Sequence, residues 1–421
     1  MSAPTPEPGH VHSHGATGTE LSAGAARRVR LVLAALVLPL FLATVVGLVM
    51  LWPTGDSPIG TLPVAGTDAR FLTGVVVEVV DIPGEEVRLA LDDSDAVVPV
   101  QVPPEILAAG VDVGAGMKVL FIPEALGSGS PYVYVDFVRS SPMALLAVLY
   151  ALVVVLVARW RGLAAIAGLV VAFGIIAVFV LPALLGGSDP LLVALVGSSA
   201  MMFAAVYLAH GISIRTTTAL LGTIVGLAVT TLLAAWGTAS AQLTGTATEG
   251  SFQLYALVPS LSLRALLLCG IVIAGLGALN DVTITQASAV WELHASAPGA
   301  SARTVFGRAM RIGRDHIAST VYTLAFAYVG TALTTLLLVS LFERSLVETL
   351  TAGEIAEEVV RTLVSSVGLV LAIPVTTAIG VLAVRSAVAA DRGSSEVAAD
   401  RGSAAAAVDG DSPDARVEPA G

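Results

Sequence analysis

Asp281, Thr285, Ser288 and Glu292 stand at i, i+4, i+7 and i+11 in GLGALNDVTITQASAVWEL, residues 275–293. On a helix that spacing puts all four on one face. The run leading into them, ALLLCGIVIAGLGAL, is almost pure hydrocarbon. Ionisable groups inside so apolar a segment are costly, take partners and mark solute or ion paths. Such a set can bind and release a proton, a cation or a small polar solute. Farther on, MRIGRDHIASTVYTLAFAYVG, residues 310–330, brings Arg311, Arg314, Asp315 and His316 together, and Asp315, Ser319, Tyr322 and Phe326 share a second helical face. Arg314 is the expected partner of Asp281. Pro374 sits in the middle of VVRTLVSSVGLVLAIPVTTAIG. It removes a backbone donor and crowds the carbonyl of residue 370, which predicts a kink, with Thr376 and Thr377 near the freed carbonyl. Each feature also has a structural reading: an ion pair at a membrane boundary, hydroxyls joining helices, a packing bend.

These residues must be positioned by membrane helices. The chain has 421 residues, of which 56% are hydrophobic and 13% charged, and its mean hydropathy is +0.88. A soluble domain has roughly a quarter of its residues charged. A span needs about 20 apolar residues, and eight stretches qualify: 29–52, 142–158, 163–185, 190–209, 215–237, 265–286, 317–342 and 362–384. The arginines at 27, 28, 30, 159, 161, 215, 303, 308, 311, 314 and 385 then all fall on one side, which the positive-inside rule makes cytoplasmic. Both termini are expected on that side of a bacterial cell (inner or plasma) membrane. In span five, Gly222 and Gly226 form a GxxxG helix-contact motif; in span six, Gly270, Ala274 and Ala278 form a ladder of small residues. Although the net charge is −11, no basic stripe supports nucleic-acid binding.

Residues 53–141 differ in kind. FLTGVVVEVVD, EEVRLALD, AVVPVQVP, GMKVLFIP and YVYVDFVRS are short β-rich runs separated by turn signals such as DDSD and GSGSP. Five short strands predict a small all-β, OB-like domain, placed outside the cytoplasm by the span order. The expected organisation is a disordered cytoplasmic N-terminus (1–28), a membrane anchor helix (29–52), the extracytoplasmic β domain (53–141), a seven-span membrane domain (142–385) and a disordered cytoplasmic tail (386–421). His10, His12 and His14 lack acidic or Cys partners, so no metal site is assigned to them. The lone cysteine, Cys269, rules out an intrachain disulfide.

GLGALNDVTITQASAVWEL, IGRDHIASTVYTLAFAYVG and EEVVRTLVSSVGLVLAIPVTTAIG resemble, in order and spacing, three signature regions of the YibE/F-like family of bacterial multi-pass membrane proteins. The resemblance covers about residues 140–385. Asn280 departs from it, standing where an apolar residue is expected before the aspartate. The resemblance implies a polytopic membrane protein and lends no substrate, cofactor or catalytic residue. Two functions remain open on the residues themselves. One is a permease or exporter of a small solute or ion, coupled to an ion gradient through Asp281, Thr285, Ser288, Glu292, Arg314, Asp315, Ser319 and Tyr322. The other is a non-transporting scaffold or sensor whose outer domain binds a protein partner. An enzyme is not expected: neither HExxH nor GxSxG occurs, and the glycines of 275–280 lack the strand that a nucleotide site needs. No cofactor is expected, and the lipid bilayer is the certain neighbour.

Overall fold

The computed structural model describes residues 23–55, 59–63, 69–80, 86–94, 96–123 and 130–409. The chain divides into two compact units, Thr54–Ala167 and the remainder. The histidines at 10, 12 and 14 and the outermost parts of both expected tails lie outside the described residues.

The first unit holds a closed barrel of β1 (Arg70–Val79), β2 (Glu86–Leu91), β3 (Val97–Gln101), β4 (Gly116–Phe121) and β5 (Tyr132–Phe137). The strands neighbour one another in the order β1-β2-β3-β5-β4, and β4 returns to β1. All pairs are antiparallel except β3 with β5, where Gln101 faces Val133. Period-two alternation sends Val76, Val87, Leu89, Val98, Val100, Met117 and Val119 inward to one core. Gly74 is required in β1 because a Cβ there would collide with the Ala90 carbonyl of β2. The five strands expected from the sequence are all present. The domain is not purely β, however: a short helix spans Pro104–Ala109 between β3 and β4. Pro104 at its first turn is pre-set for a helix start, and Gly110, at φ 95°, ends it.

The α elements in chain order are α1 (Ala23–Met50), α2 (Pro104–Ala109, just described), α3 (Ser140–Ile175), α4 (Leu181–Leu185) after a π-helical stretch Ile176–Val180, α5 (Pro190–His210) and α6 (Ile214–Ser240). They continue with α7 (Glu249–Leu257), α8 (Leu263–Ser296), α9 (Ala302–Thr331), α10 (Leu333–Ser340), α11 (Leu346–Leu350) and α12 (Gly353–Asp409). Side-chain caps set several starts. Asp189 accepts from the Leu192 amide, Ser213 from Thr216, Ser262 from Ala265 and Ser301 from Thr304.

Among the described residues, six helical runs are long and apolar enough to cross a membrane, or seven if the bent pair α9–α10 counts as one span. The expected eight therefore do not stand as eight separate helices. Spans two and three form one helical run, Ser140–Leu185, which breaks at Arg159 (φ 54°, ψ −132°). The chain folds back there. A Cβ on Gly162 would stand 2.5 Å from the Val154 carbonyl oxygen, although residues eight apart on a straight helix are about 12 Å apart. The stretch expected as span seven, 317–342, is bent by 64° between α9 and α10. Beyond Arg385, α12 continues as helix to Asp409 rather than ending in an unfolded tail. The Ala-rich repeats there have high helix propensity, which outweighs the low complexity that suggested disorder.

In the second unit, α6, α8 and α12 pack as a central trio, with α5 and α1 on one flank and α9 on another. Phe179, Met201, Met202, Leu220, Leu227, Ile271 and Val272 belong to its main core.

Candidate functional site

The closeness of the central trio comes from small residues. Along α6 and α12, which run antiparallel, a Cβ added at Gly237 would meet Val360 and Val364, and one at Gly226 would meet Ala372. Gly222 lies against the Thr376 hydroxyl, and Gly368 against that of Thr230. The GxxxG of α6 is thus used as expected, at the α12 interface. On α8 the small residue that packs is Gly275, whose Cβ would lie 3.3 Å from Ser365 Oγ and 3.7 Å from Thr230 Cγ2. Gly270, from the expected ladder, has open space around it.

Polar groups occupy this interface at two levels. At one, Ser365 of α12 and Thr230 of α6 are buried and meet over Gly275. Neither hydroxyl has a hydrogen-bond partner. One to two turns toward the start of α12, Arg361 Nη1 pairs with Glu358 Oε1 at 2.9 Å, and both side chains are about three-quarters buried. Arg361 Nε and Glu358 Oε2 are buried without a further partner, and Glu357 beside them is buried. At the other level, Thr223 and Thr283 hydroxyls are 2.6 Å apart. Gln286 Nε2 donates to Thr377 Oγ1 at 2.7 Å and to the Ala309 carbonyl at 3.0 Å. Between the levels lies an apolar layer of Leu279, Val282, Leu324, Leu369, Ala372 and Ile373.

The residues singled out from the sequence sit elsewhere. Asp281, Thr285 and Glu292 do share a face, but it is the exposed face of α8; its buried face carries Val282, Thr283, Gln286 and Val290. Ser288 is half-buried, and its hydroxyl donates to the Ile284 carbonyl at 2.8 Å. On α9, Asp315, Ser319 and Tyr322 are exposed, with Tyr322 stacked on Phe326 at 6.4 Å. Arg314 does not pair with Asp281. The partner is His316, whose Nε2 lies 3.6 Å from Asp281 Oδ2. Gly313, Thr320 and Leu324 set the bundle-facing side of α9. Position 314 is turned about 200° from 316 at 100° per residue, so Arg314 points away.

α12 runs unbroken through Pro374. Thr376 and Thr377 donate to the carbonyls of Ala372 and Ile373, not to that of Val370, because a helical threonine reaches its own i−4 position.

The buried set was missed because threonine reads as neutral in an apolar run. A signal existed. Thr216, Thr223, Thr230 and Gly237 recur every seven residues on α6, a stripe of small and polar side chains on one face. It lies beside the GxxxG that does mark the contact.

This arrangement offers hydroxyl and amide oxygens on either side of a closed apolar layer. Oxygens of this kind coordinate hard cations or hold a polar solute. Buried hydroxyls without protein partners cost about 1–3 kcal/mol each unless a bound species meets them.

Residues 146–386 match the model of the YibE/F-like protein family. The match takes in more than half of the chain, and the chain belongs to that family. The barrel lies ahead of the matched segment. No curated protein and no solved structure matches the chain.

Proposed function

From that membership and the geometry of the central trio, we propose that this protein is a permease or exporter for a small solute or ion, coupled to an ion gradient. The observation that carries the reading is the pair of buried polar levels on α6, α8 and α12, separated by one apolar layer. A path closed in the middle has this form. Its first level is Glu358, Arg361, Ser365 and Thr230; its second is Thr223, Thr283, Gln286 and Thr377. Asp281, on the outer face of α8, and His316, on α9, flank the path and serve it as an ionisable pair.

Dividing the Ser140–Leu185 run at Arg159, and counting the bent α9–α10 pair as one span, brings the six runs to eight. With eight spans the loops that carry Arg159, Arg161, Arg215, Arg303, Arg308, Arg311 and Arg314 share one side, the richest in arginine, and both termini are cytoplasmic. The barrel, whose strand order and single helix between β3 and β4 are those of an OB-like fold, is then extracytoplasmic. The host membrane is the inner or plasma membrane of a bacterium.

The test is metabolite and metal-ion profiling inside and outside deletion cells complemented with wild type or with Glu358→Gln at matched membrane abundance. A solute redistributed on deletion and restored only by wild type supports transport through this path. Identical profiles in all three strains refute it. A second reading, a scaffold or sensor, draws on the barrel, which has its own core. It requires that deleting residues 54–138 abolish function while leaving every solute profile unchanged.

A further inference from the structure

A cavity of about 460 Å³ opens at the far end of the trio from Glu358, past Gln286 and Thr377. His294 at the end of α8, the loop Pro298–Ser301, Arg303 at the start of α9, and Val384 and Arg385 of α12 line it. A small cluster of Val290, Val305, Ala309, Val381 and Val384 closes its floor. No aspartate or glutamate is among the lining residues, and the described residues place no ion pair on Arg303 or Arg385. Three basic side chains from three different helices therefore converge on one polar hollow, in a chain with an acidic excess of 11 charges. Gly299 has open space where a side chain would stand, which leaves room beside the arginines.

Guanidinium groups gathered without carboxylates repel one another across the hollow. An oxyanion between them relieves this and gains charge-assisted hydrogen bonds, and the planar donor fork of arginine fits phosphate oxygens two at a time. The volume far exceeds one inorganic ion and suits a phosphate carrying an organic substituent. Carboxylates are disfavoured by size and charge: one negative charge leaves one of the two guanidinium charges unmatched, whereas a phosphate ester brings up to two.

We propose that this cavity binds a phosphate ester, gripped by Arg303 and Arg385 with His294 as a third donor. The site stands apart from the transport reading and holds whether or not the chain moves a solute. The ester has two sources, a soluble metabolite or the headgroup of an anionic phospholipid.

The experiment uses the full chain in nanodiscs. In discs of phosphatidylcholine alone, radiolabelled glycerol 3-phosphate is the probe, with unlabelled inorganic phosphate as competitor. Saturable, phosphate-competed binding is expected. The double variant Arg303→Gln/Arg385→Gln should weaken it at least tenfold, and Arg303→Lys/Arg385→Lys should retain most of it. If the glutamine pair fails to fold, Gly299→Trp, which fills the hollow without touching a charge, takes its place and should abolish binding. In discs containing phosphatidylglycerol, a lipid occupant would block the soluble probe in wild type and remain bound in native mass spectra of wild type but not of the variant. A soluble occupant would leave probe binding unaffected by the lipid. Equal probe binding in wild type and both variants overturns the proposal. So does the absence, in wild type, of both probe binding and retained lipid.

Discussion

Gly222→Ala isolates the close packing of α6 on α12. The added carbon would overlap the Thr376 hydroxyl oxygen and stand 2.9 Å from Thr376 Cβ and 3.2 Å from its Cγ2. Three atoms of one β-branched side chain must move together. Rotating Thr376 away also breaks its bond to the Ala372 carbonyl, now 2.7 Å, at a cost of about 1 kcal/mol. Overpacking a tight interface adds about 1–3 kcal/mol, while alanine returns about 1 kcal/mol of helix propensity over glycine. The net expectation is destabilisation of about 1–3 kcal/mol. Thr376→Ala removes the obstructing atoms, so the double variant should recover at least half of the loss, a coupling that a double-mutant cycle reads directly. Gly270→Ala, where nothing lies within 4 Å, is the control and should be neutral or slightly stabilising. Denaturant unfolding of the purified protein in detergent, followed by tryptophan fluorescence, measures all four. The reasoning fails if Gly222→Ala is as stable as Gly270→Ala, or if Thr376→Ala gives no rescue.

Leu279→Ala/Leu369→Ala thins the apolar layer and should open a leak to small ions, seen as faster collapse of an imposed gradient in proteoliposomes; each substitution should also cost about 2–5 kcal/mol of stability. Removing one member of the Glu358–Arg361 pair should destabilise the bundle by about 2 kcal/mol, and Glu358→Gln/Arg361→Gln should be milder than either single change, because a partly buried charge left alone is worse than none. Thermal unfolding of the three variants reads this. Asp281 and Arg314 should show no coupling beyond about 0.5 kcal/mol in a charge-swap cycle, whereas a double-mutant cycle on Asp281 and His316 should show a larger coupling. In the barrel, the hydrogen bond from the Arg139 guanidinium, at 2.6 Å, holds the Asp136 carboxyl below its ordinary 3.8. A carboxyl depressed on folding favours the native state above its unfolded pKa, and that contribution fades as pH falls through the folded value. Its NMR titration midpoint should therefore lie under 3.8 in wild type and rise in Arg139→Gln.

Much of the architecture was legible from hydropathy and turn residues. Alternation in VVPVQ and GMKVLF marks strands whose inward positions, Val98, Val100, Met117 and Val119, are the barrel core. Length and apolarity locate α1, α5, α6, α8 and the membrane part of α12. One break was legible and one was not. The expected spans 142–158 and 163–185 bracket Arg159, where the backbone takes a positive φ, whereas the bend after Thr331 falls inside one expected span with only Gly330 nearby. The site was misread for a reason of geometry. Helical spacing says which residues share a face but not which face turns inward. Asp281, Thr285 and Glu292 are rightly grouped, yet Val282 and Gln286, one position onward from the first two, and Val290 face the bundle. Charge drew the eye to Asp281 and Arg314, while the groups that meet across helices were neutral: Thr223 with Thr283, and Gln286 with Thr377.

The fold-back at Arg159 bears on how the chain enters a membrane during synthesis. Drawn out straight, Ser140–Leu185 would be about 69 Å long at 1.5 Å per residue, more than twice the roughly 30 Å of hydrocarbon available. The arm before the break, Ser140–Ala158, is about 28 Å long and fills that thickness alone. Neither arm of such a run leaves the translocation machinery as a finished unit: the second begins within one residue of the first one's end. The pair enters as a single hairpin, and Arg159 and Arg161 at its tip keep that tip at the aqueous boundary.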